Sequence, residues 1–137
     1  MNARDVMTPN PVTVTAKASV AEVLDLMRDL EIRHVPVVEG GALVGMLSDR
    51  DLAQFDISRL VAVDGALRHE LRAPVVTVMS SDVIFVNPET TLGEVVELLI
   101  DHRIGAVPVI SPDRREVVGI VSYIDVLRAL PAAPEDG

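Results

Sequence analysis

The sequence predicts an α/β protein built from two copies of one β-α-β-β-α unit, and three observations point there. The 137-residue chain repeats itself. Its hydrophobic residues, 49% of the total, are almost all aliphatic, with aromatics at 2%. Its apolar positions switch between the strand period and the helix period in the same order twice. Aliphatic, β-branched cores of this kind suit strands covered by helices.

Sliding the sequence by 72 residues places Met7 on Met79, Glu22 on Glu94, Asp29 on Asp101, Ile32 on Ile104, and the VPV of residues 35–37 on that of residues 107–109. Beyond this the turn EGGA is replaced by the longer SPDRRE. The offset becomes 74, and Gly45, Ser48 and Asp51 fall on Gly119, Ser122 and Asp125. Extra residues in a turn cost little.

Each copy opens with a short extended piece, residues 12–14 or 83–86. A helix follows, its start signed by Ser19 with Glu22 or by Thr91 with Glu94, a capping-box spacing in both copies. Val20, Val23, Leu24, Met27 and Leu30 recur at helical spacing, as do Leu92, Val95, Val96 and Leu99, so one face of each helix is expected to be buried. Next come the strand HVPVV or AVPVI, a turn, and the strand ALVGMLS or EVVGIVS. A second helix begins at Asp49 or Tyr123. The expected boundaries are repeat 1 over residues 3–56, a charged linker over 57–74 that extends the second helix, repeat 2 over 75–130, and a disordered tail over 131–137. One copy of about 55 residues buries too little surface to stand alone, so the two are expected to pack sheet to sheet.

Composition removes several function classes. A formal charge of -9 and the scarcity of aromatic residues oppose nucleic acid as a partner. No cysteine is present, which excludes disulfides and thiolate chemistry. No signal-peptide pattern precedes MNARDVMTPN and no apolar run approaches the ~18 residues of a membrane span, so the expectation is a soluble, cytoplasmic protein without membrane contact. There is no P-loop and no GxGxxG, and the histidines at 34, 69 and 102 lack metal-ligand spacing. Ser48, His34 and Asp51 have the residue types of a hydrolase triad. Ser48 lacks the G-x-S-x-G elbow, however, and Ala106 stands where His34 does, so no enzyme is expected.

The strings DVMTPNPVTV, IRHVPVV, GMLSDRDL and GIVSYIDV, held in paired register over nearly the whole chain, resemble a tandem pair of CBS domains, the module named after cystathionine beta-synthase. The resemblance implies an α/β fold of two β-α-β-β-α CBS repeats packed about a pseudo-twofold axis, with two clefts between them. Such clefts accept AMP, ADP, ATP or related adenosyl compounds such as S-adenosylmethionine. The implied role is regulatory, with no required cofactor, association into a homodimer through the helices, and a regulated partner protein that the sequence does not identify. Mg²⁺ enters only as a companion of ATP, with Asp49 and Asp51 as the nearby carboxylates.

The repeated Ser-x-x-Asp has two readings. In one it is a capping box, the Ser side chain accepting from a free backbone N–H and the acid reaching back to the cap's own N–H. In the other the helix start is an anion site, where Ser48 or Ser122 meets a phosphate oxygen. Asp51 or Asp125 then accepts hydrogen bonds from the two vicinal hydroxyls of a ribose; the resemblance carries both roles onto these positions. It also implies a base slot formed by Val12, Thr13, Val14 and Val35 in one cleft and by Val83, Ile84 and Val107 in the other. Charge separates the copies: Arg33, His34 and Arg50, candidates for phosphate contact, correspond to Gly105, Ala106 and Ile124. The alternative to a ligand sensor is a ligand-free interaction or dimerisation scaffold.

Overall fold

The computed structural model describes the backbone of residues 1–61 and 70–130 and the side chains of residues 1–55 and 70–130. The expected tail at 131–137 and residues 62–69 of the expected linker lie outside the described residues. In chain order the elements are α1 (Ala3–Val6), β1 (Thr8–Pro9), β2 (Val14–Thr15), α2 (Val20–Leu30), β3 (His34–Glu39), β4 (Ala42–Ser48), α3 (Asp49–Val61), a 3₁₀ turn (Val75–Thr77), α4 (Leu92–His102), β5 (Ala106–Ile110), β6 (Val117–Ser122) and α5 (Tyr123–Ala129). The fold is mixed α/β with two three-stranded sheets, β2-β3-β4 and β1-β6-β5.

The chain forms two compact units, Val12–Val83 and Met1–Pro11 with Ile84–Gly137. The segment that leads each repeat therefore belongs to the unit built on the other repeat. Its docking is the same twice over. Ala3 donates to the Thr90 carbonyl at 2.8 Å and Arg4 to Pro88 at 3.0 Å, while Leu92 donates to Met1 at 2.9 Å. In the other unit Val75 donates to Ala18 at 2.8 Å and Val76 to Ala16 at 3.2 Å, while Val20 donates to Ala73 at 3.0 Å. Ala3 and Val75, 72 positions apart, are both fully buried. The exposed ion pair of Arg4 with Glu89 adds little to this docking.

The strand pairings repeat in the same way. β1 runs antiparallel to β6, with Thr8 opposite Ile120 and Pro9 opposite Gly119; Ser80 makes the equivalent bridge to Met46 of β4. Val14 of β2 lies opposite Val37 in parallel, and Val86 bridges Val109 in parallel. The extended piece expected at residues 83–86 thus survives only as that bridge. Its neighbour Asn87 is drawn into a turn instead: its N–H donates to Thr90 Oγ1 at 3.1 Å and its side chain accepts from Glu89 N–H at 2.7 Å.

The repeated glycine has a steric reason. A Cβ built on Gly45 lies 2.3 Å from Met79 Sδ, and one built on Gly119 lies 2.3 Å from Met7 Sδ. Each leading segment seats a thioether directly on a strand glycine.

Both long helices start as expected. Ser19 accepts from the Glu22 N–H at 3.1 Å and Thr91 from the Glu94 N–H at 3.2 Å, and each helix ends on a left-handed residue, Glu31 or Arg103. Val20, Val23, Leu24 and Met27 are buried on α2, and Val95 and Leu99 on α4. Leu30, expected on the buried face, is 48% exposed because it is the last residue of the helix. α1 and β1 are additions to the sequence expectation. α1 is started by an Asn2–Asp5 capping box, and β1 holds a proline that an edge strand tolerates. The cores are aliphatic apart from Phe55, with Val23, Val35, Val37, Leu47, Leu52 and Val75 in one unit and Ala3, Val95, Val107, Val109 and Val121 in the other.

Candidate functional site

The β3–β4 and β5–β6 hairpins each deliver a Ser-x-x-Asp helix start at the end of their second strand. In the Val12–Val83 unit, Asp51 N–H donates to Ser48 Oγ at 3.2 Å and Ser48 N–H to Asp51 Oδ2 at 2.9 Å. In the other unit, Asp125 N–H donates to Ser122 Oγ at 3.2 Å and Ser122 N–H to Asp125 Oδ2 at 2.9 Å. Ser122 Oγ also donates to Asp125 Oδ2 at 3.1 Å. Both are complete reciprocal capping boxes, so the local reading of the motif holds in full. Each box engages only Oδ2 of its carboxylate. Among the described residues Oδ1 of Asp51 and of Asp125 accepts no hydrogen bond, and both residues are half-buried.

Around the first box the structure gathers the charged residues singled out above. His34 lies opposite Ser48 in the β3–β4 ladder, the Arg33 carbonyl accepts from the Asp49 N–H at 2.8 Å, and Arg50 is exposed on the first turn of α3. Neither Arg33 nor Arg50 makes an ion pair among the described residues. In the second unit Ala106 lies opposite Ser122 and the Gly105 carbonyl accepts from Tyr123 N–H at 3.0 Å. The geometry is thus duplicated, while the two arginines and the imidazole are not.

Burial lowers the His34 pKa below the ordinary imidazole value. The carboxylates of Asp49 and Asp51 oppose that shift, and Arg33 adds to it. The folded protein therefore binds this proton less readily than the unfolded chain does. This favours the fold above the ordinary imidazole pKa of about 6.5 and is lost as pH falls below it. Thermal unfolding between pH 7.5 and 5.5 is expected to show a steeper loss of Tm for wild type than for His34→Gln. Parallel curves contradict this.

The residues expected to line base slots are not equally placed. Val12 is 40% exposed, whereas Val35 and Val107 are fully buried in the two cores and their side chains serve packing there. Thr13 is exposed, and Val14 and Ile84 are partly exposed. Val83 is the last residue of the Val12–Val83 unit, and Ile84 and Val107 belong to the other unit. A groove that no sequence pattern signalled runs along α3 one turn past Asp51, about 390 Å³ in volume and lined by Gln54, Phe55, Glu70, Ala73 and Thr77. The Thr77 hydroxyl is already committed, donating to the Pro74 carbonyl at 2.7 Å. Among the described residues no group of three or more His, Asp or Glu side chains could hold a metal ion. No helix of the described residues is long and apolar enough to cross a membrane.

Comparison with known proteins gives this geometry a context. The CBS domain family matches twice, over residues 3–65 and 68–132. The CBS domain-containing protein YhcV of Bacillus subtilis (strain 168) is 33% identical over 123 residues, which cover 90% of this chain and 81% of that protein. Three other curated relatives are much longer, the chain spanning 43%, 23% and 32% of them. Among solved structures, the CBS domain pair of protein MJ0100 in complex with 5′-methylthioadenosine and S-adenosyl-L-methionine aligns with a TM-score of 0.77 at 26% identity, covering 93% of this chain and 98% of that one. CBSX2 in complex with AMP aligns with a TM-score of 0.78 at 27% identity, covering 93% and 94%.

Proposed function

The chain belongs to the CBS domain family, and from that premise we propose that it is a regulatory module that binds an adenosyl ligand at its Ser-x-x-Asp helix starts. The observation that carries this reading is the half-used carboxylate. Capping occupies Oδ2 of Asp51 and of Asp125, and each leaves Oδ1 to accept from a ribose hydroxyl. A carboxylate offers about four acceptor sites, enough for a backbone N–H and a cis-diol together. The adenosyl compounds bound by MJ0100 and CBSX2 support the ligand class.

Ser48 and Ser122 turn their hydroxyls to the ligand's phosphate or its equivalent, and Val12, Thr13, Val14, Val83 and Ile84 contribute apolar surface and backbone to the base. Arg33, His34 and Arg50 make the Val12–Val83 unit the better host for a phosphorylated ligand such as AMP, ADP or ATP. The thirteen-residue α3 adds a fuller helix dipole than the seven-residue α5. The other unit suits an adenosyl compound with a less anionic tail. The module performs no catalysis, needs no resident cofactor, acts in the cytoplasm and does not bind nucleic acid. It associates as a homodimer, a reading supported by the exposed apolar side chains of Tyr123 and Leu127 on α5, of Leu130 just past its end, and of Ile100 on α4.

The scaffold alternative has one observation in its favour: the completed capping boxes account for Ser and Asp without any ligand. Thermal unfolding with AMP, ADP, ATP, S-adenosylmethionine, NAD and cyclic dinucleotides separates the two. Ligand at about 100 times its Kd adds about 2.7 kcal/mol, a rise of several degrees in Tm. At least one adenosyl compound is expected to produce that rise; a flat response across the panel favours the scaffold.

A further inference from the structure

We propose that Met7 and Met79 form a paired redox switch that controls how tightly the exchanged leading segments dock. The two residues occupy the same place in the repeat and make the same contact, each thioether resting on a buried strand glycine, Gly119 or Gly45. Each also immediately precedes the sheet contact of its segment. Met7 leads into β1 on β6, and Met79 precedes Ser80, which exchanges two backbone hydrogen bonds of 2.9 and 3.0 Å with Met46. Both methionines are partly exposed, as is Met46 on β4; Met1 is 70% exposed, and Met27 is buried at 7% exposure in the core. The chain has five methionines and no cysteine, so thioethers are its only peroxide-reactive sulfurs.

The chemistry is two-electron oxygen transfer from a hydroperoxide, with hydrogen peroxide as the simplest case. The sulfur lone pair attacks the terminal peroxide oxygen, an S–O bond forms, the O–O bond breaks, and water leaves. Sulfur is oxidised to the sulfoxide and the peroxide is reduced. The product carries an added oxygen and a strong dipole on an atom that now sits against a glycine backbone with no room for even a Cβ. The sulfoxide lifts from the strand and the sheet contact beside it loosens. Methionine sulfoxide reductase restores the thioether and the contact, with a dithiol supplying the two electrons and becoming a disulfide while the oxygen leaves as water.

The test treats the full chain with hydrogen peroxide and maps oxidation by peptide mass spectrometry alongside Tm and amide exchange. Expected are a gain of one oxygen at Met7 and Met79 but not at Met27, faster exchange at Asn10, Met46 and Ser80, and a Tm lowered by several degrees. Reductase treatment reverses all three. The Met7→Leu/Met79→Leu variant, a volume-conserving change that cores tolerate, is expected to fold and to keep its Tm under peroxide. The proposal is overturned if Met7 and Met79 resist oxidation while Met1 reacts, if they oxidise with no change in exchange or Tm, or if the double Leu variant loses as much as wild type.

Discussion

A chain lacking residues 1–11 is expected to lose the fold of the unit built on the second repeat, although the deletion removes nothing from that repeat's own sequence. The deleted segment supplies Ala3, fully buried in that unit's core, and the β1 edge of its sheet. It also takes part in four backbone hydrogen bonds, Ala3 to Thr90, Arg4 to Pro88, Leu92 to Met1 and Asn10 to Val118. At about 1 kcal/mol each these bonds alone amount to ~4 kcal/mol, a large share of the 5–15 kcal/mol that holds a typical domain together. Thermal unfolding followed by circular dichroism is expected to show a transition lowered by 10 °C or more on the order-of-magnitude conversion of such a loss, and a peptide of residues 1–11 added in excess is expected to restore part of it. A truncated chain that melts with the full-length protein contradicts the exchanged arrangement.

Gly45→Ala and Gly119→Ala are each expected to destabilise the protein by about 1–3 kcal/mol, the cost of overpacking a filled site. The clash is not confined to a flexible tip. The new Cβ meets Sδ at 2.3 Å and Cγ at 2.9 Å in both cases, and at Gly119 also Met7 Cβ at 3.1 Å, so the stem of the methionine must move. Pairing Gly45→Ala with Met79→Ala removes the opposing atoms and is expected to recover most of the Gly45→Ala loss relative to Met79→Ala alone, as seen in denaturant midpoints. Equal cost in both backgrounds contradicts the contact.

The duplication was legible because aliphatic residues and caps recur at fixed offsets, and the helices followed from it: Ser19 and Thr91 sit at the N-caps and α3 and α5 begin at Asp49 and Tyr123. The exchange of leading segments was not legible. Periodicity reports which residues are buried and says nothing of which copy buries them. Ala3 and Val75 look like parts of their own repeats. The helix at Ala3–Val6 and the strand at Thr8–Pro9 were not anticipated, four and two residues being too short to show a period. At the candidate site, sequence supplied both readings of Ser-x-x-Asp. The structure shows the capping one complete in both units and leaves one oxygen of each acid to the other. Arg33, His34 and Arg50 fall together because β3 pairs with β4 in a register that sets His34 against Ser48, a placement that follows from the hairpin once its turn length is known.

The claim on which the functional account rests is that Asp51 binds a ribose while it caps α3. It is tested most directly by isothermal titration of AMP and 2′-deoxy-AMP into wild type and Asp51→Ala, with Tm followed so that the ~1 kcal/mol of a lost cap is recognised. Wild type is expected to prefer AMP by about tenfold, the worth of one hydrogen bond to a charged group, and Asp51→Ala to bind both ligands weakly and nearly alike. A wild-type protein that does not distinguish the two nucleotides, or an Asp51→Ala protein that keeps the full preference, contradicts the account.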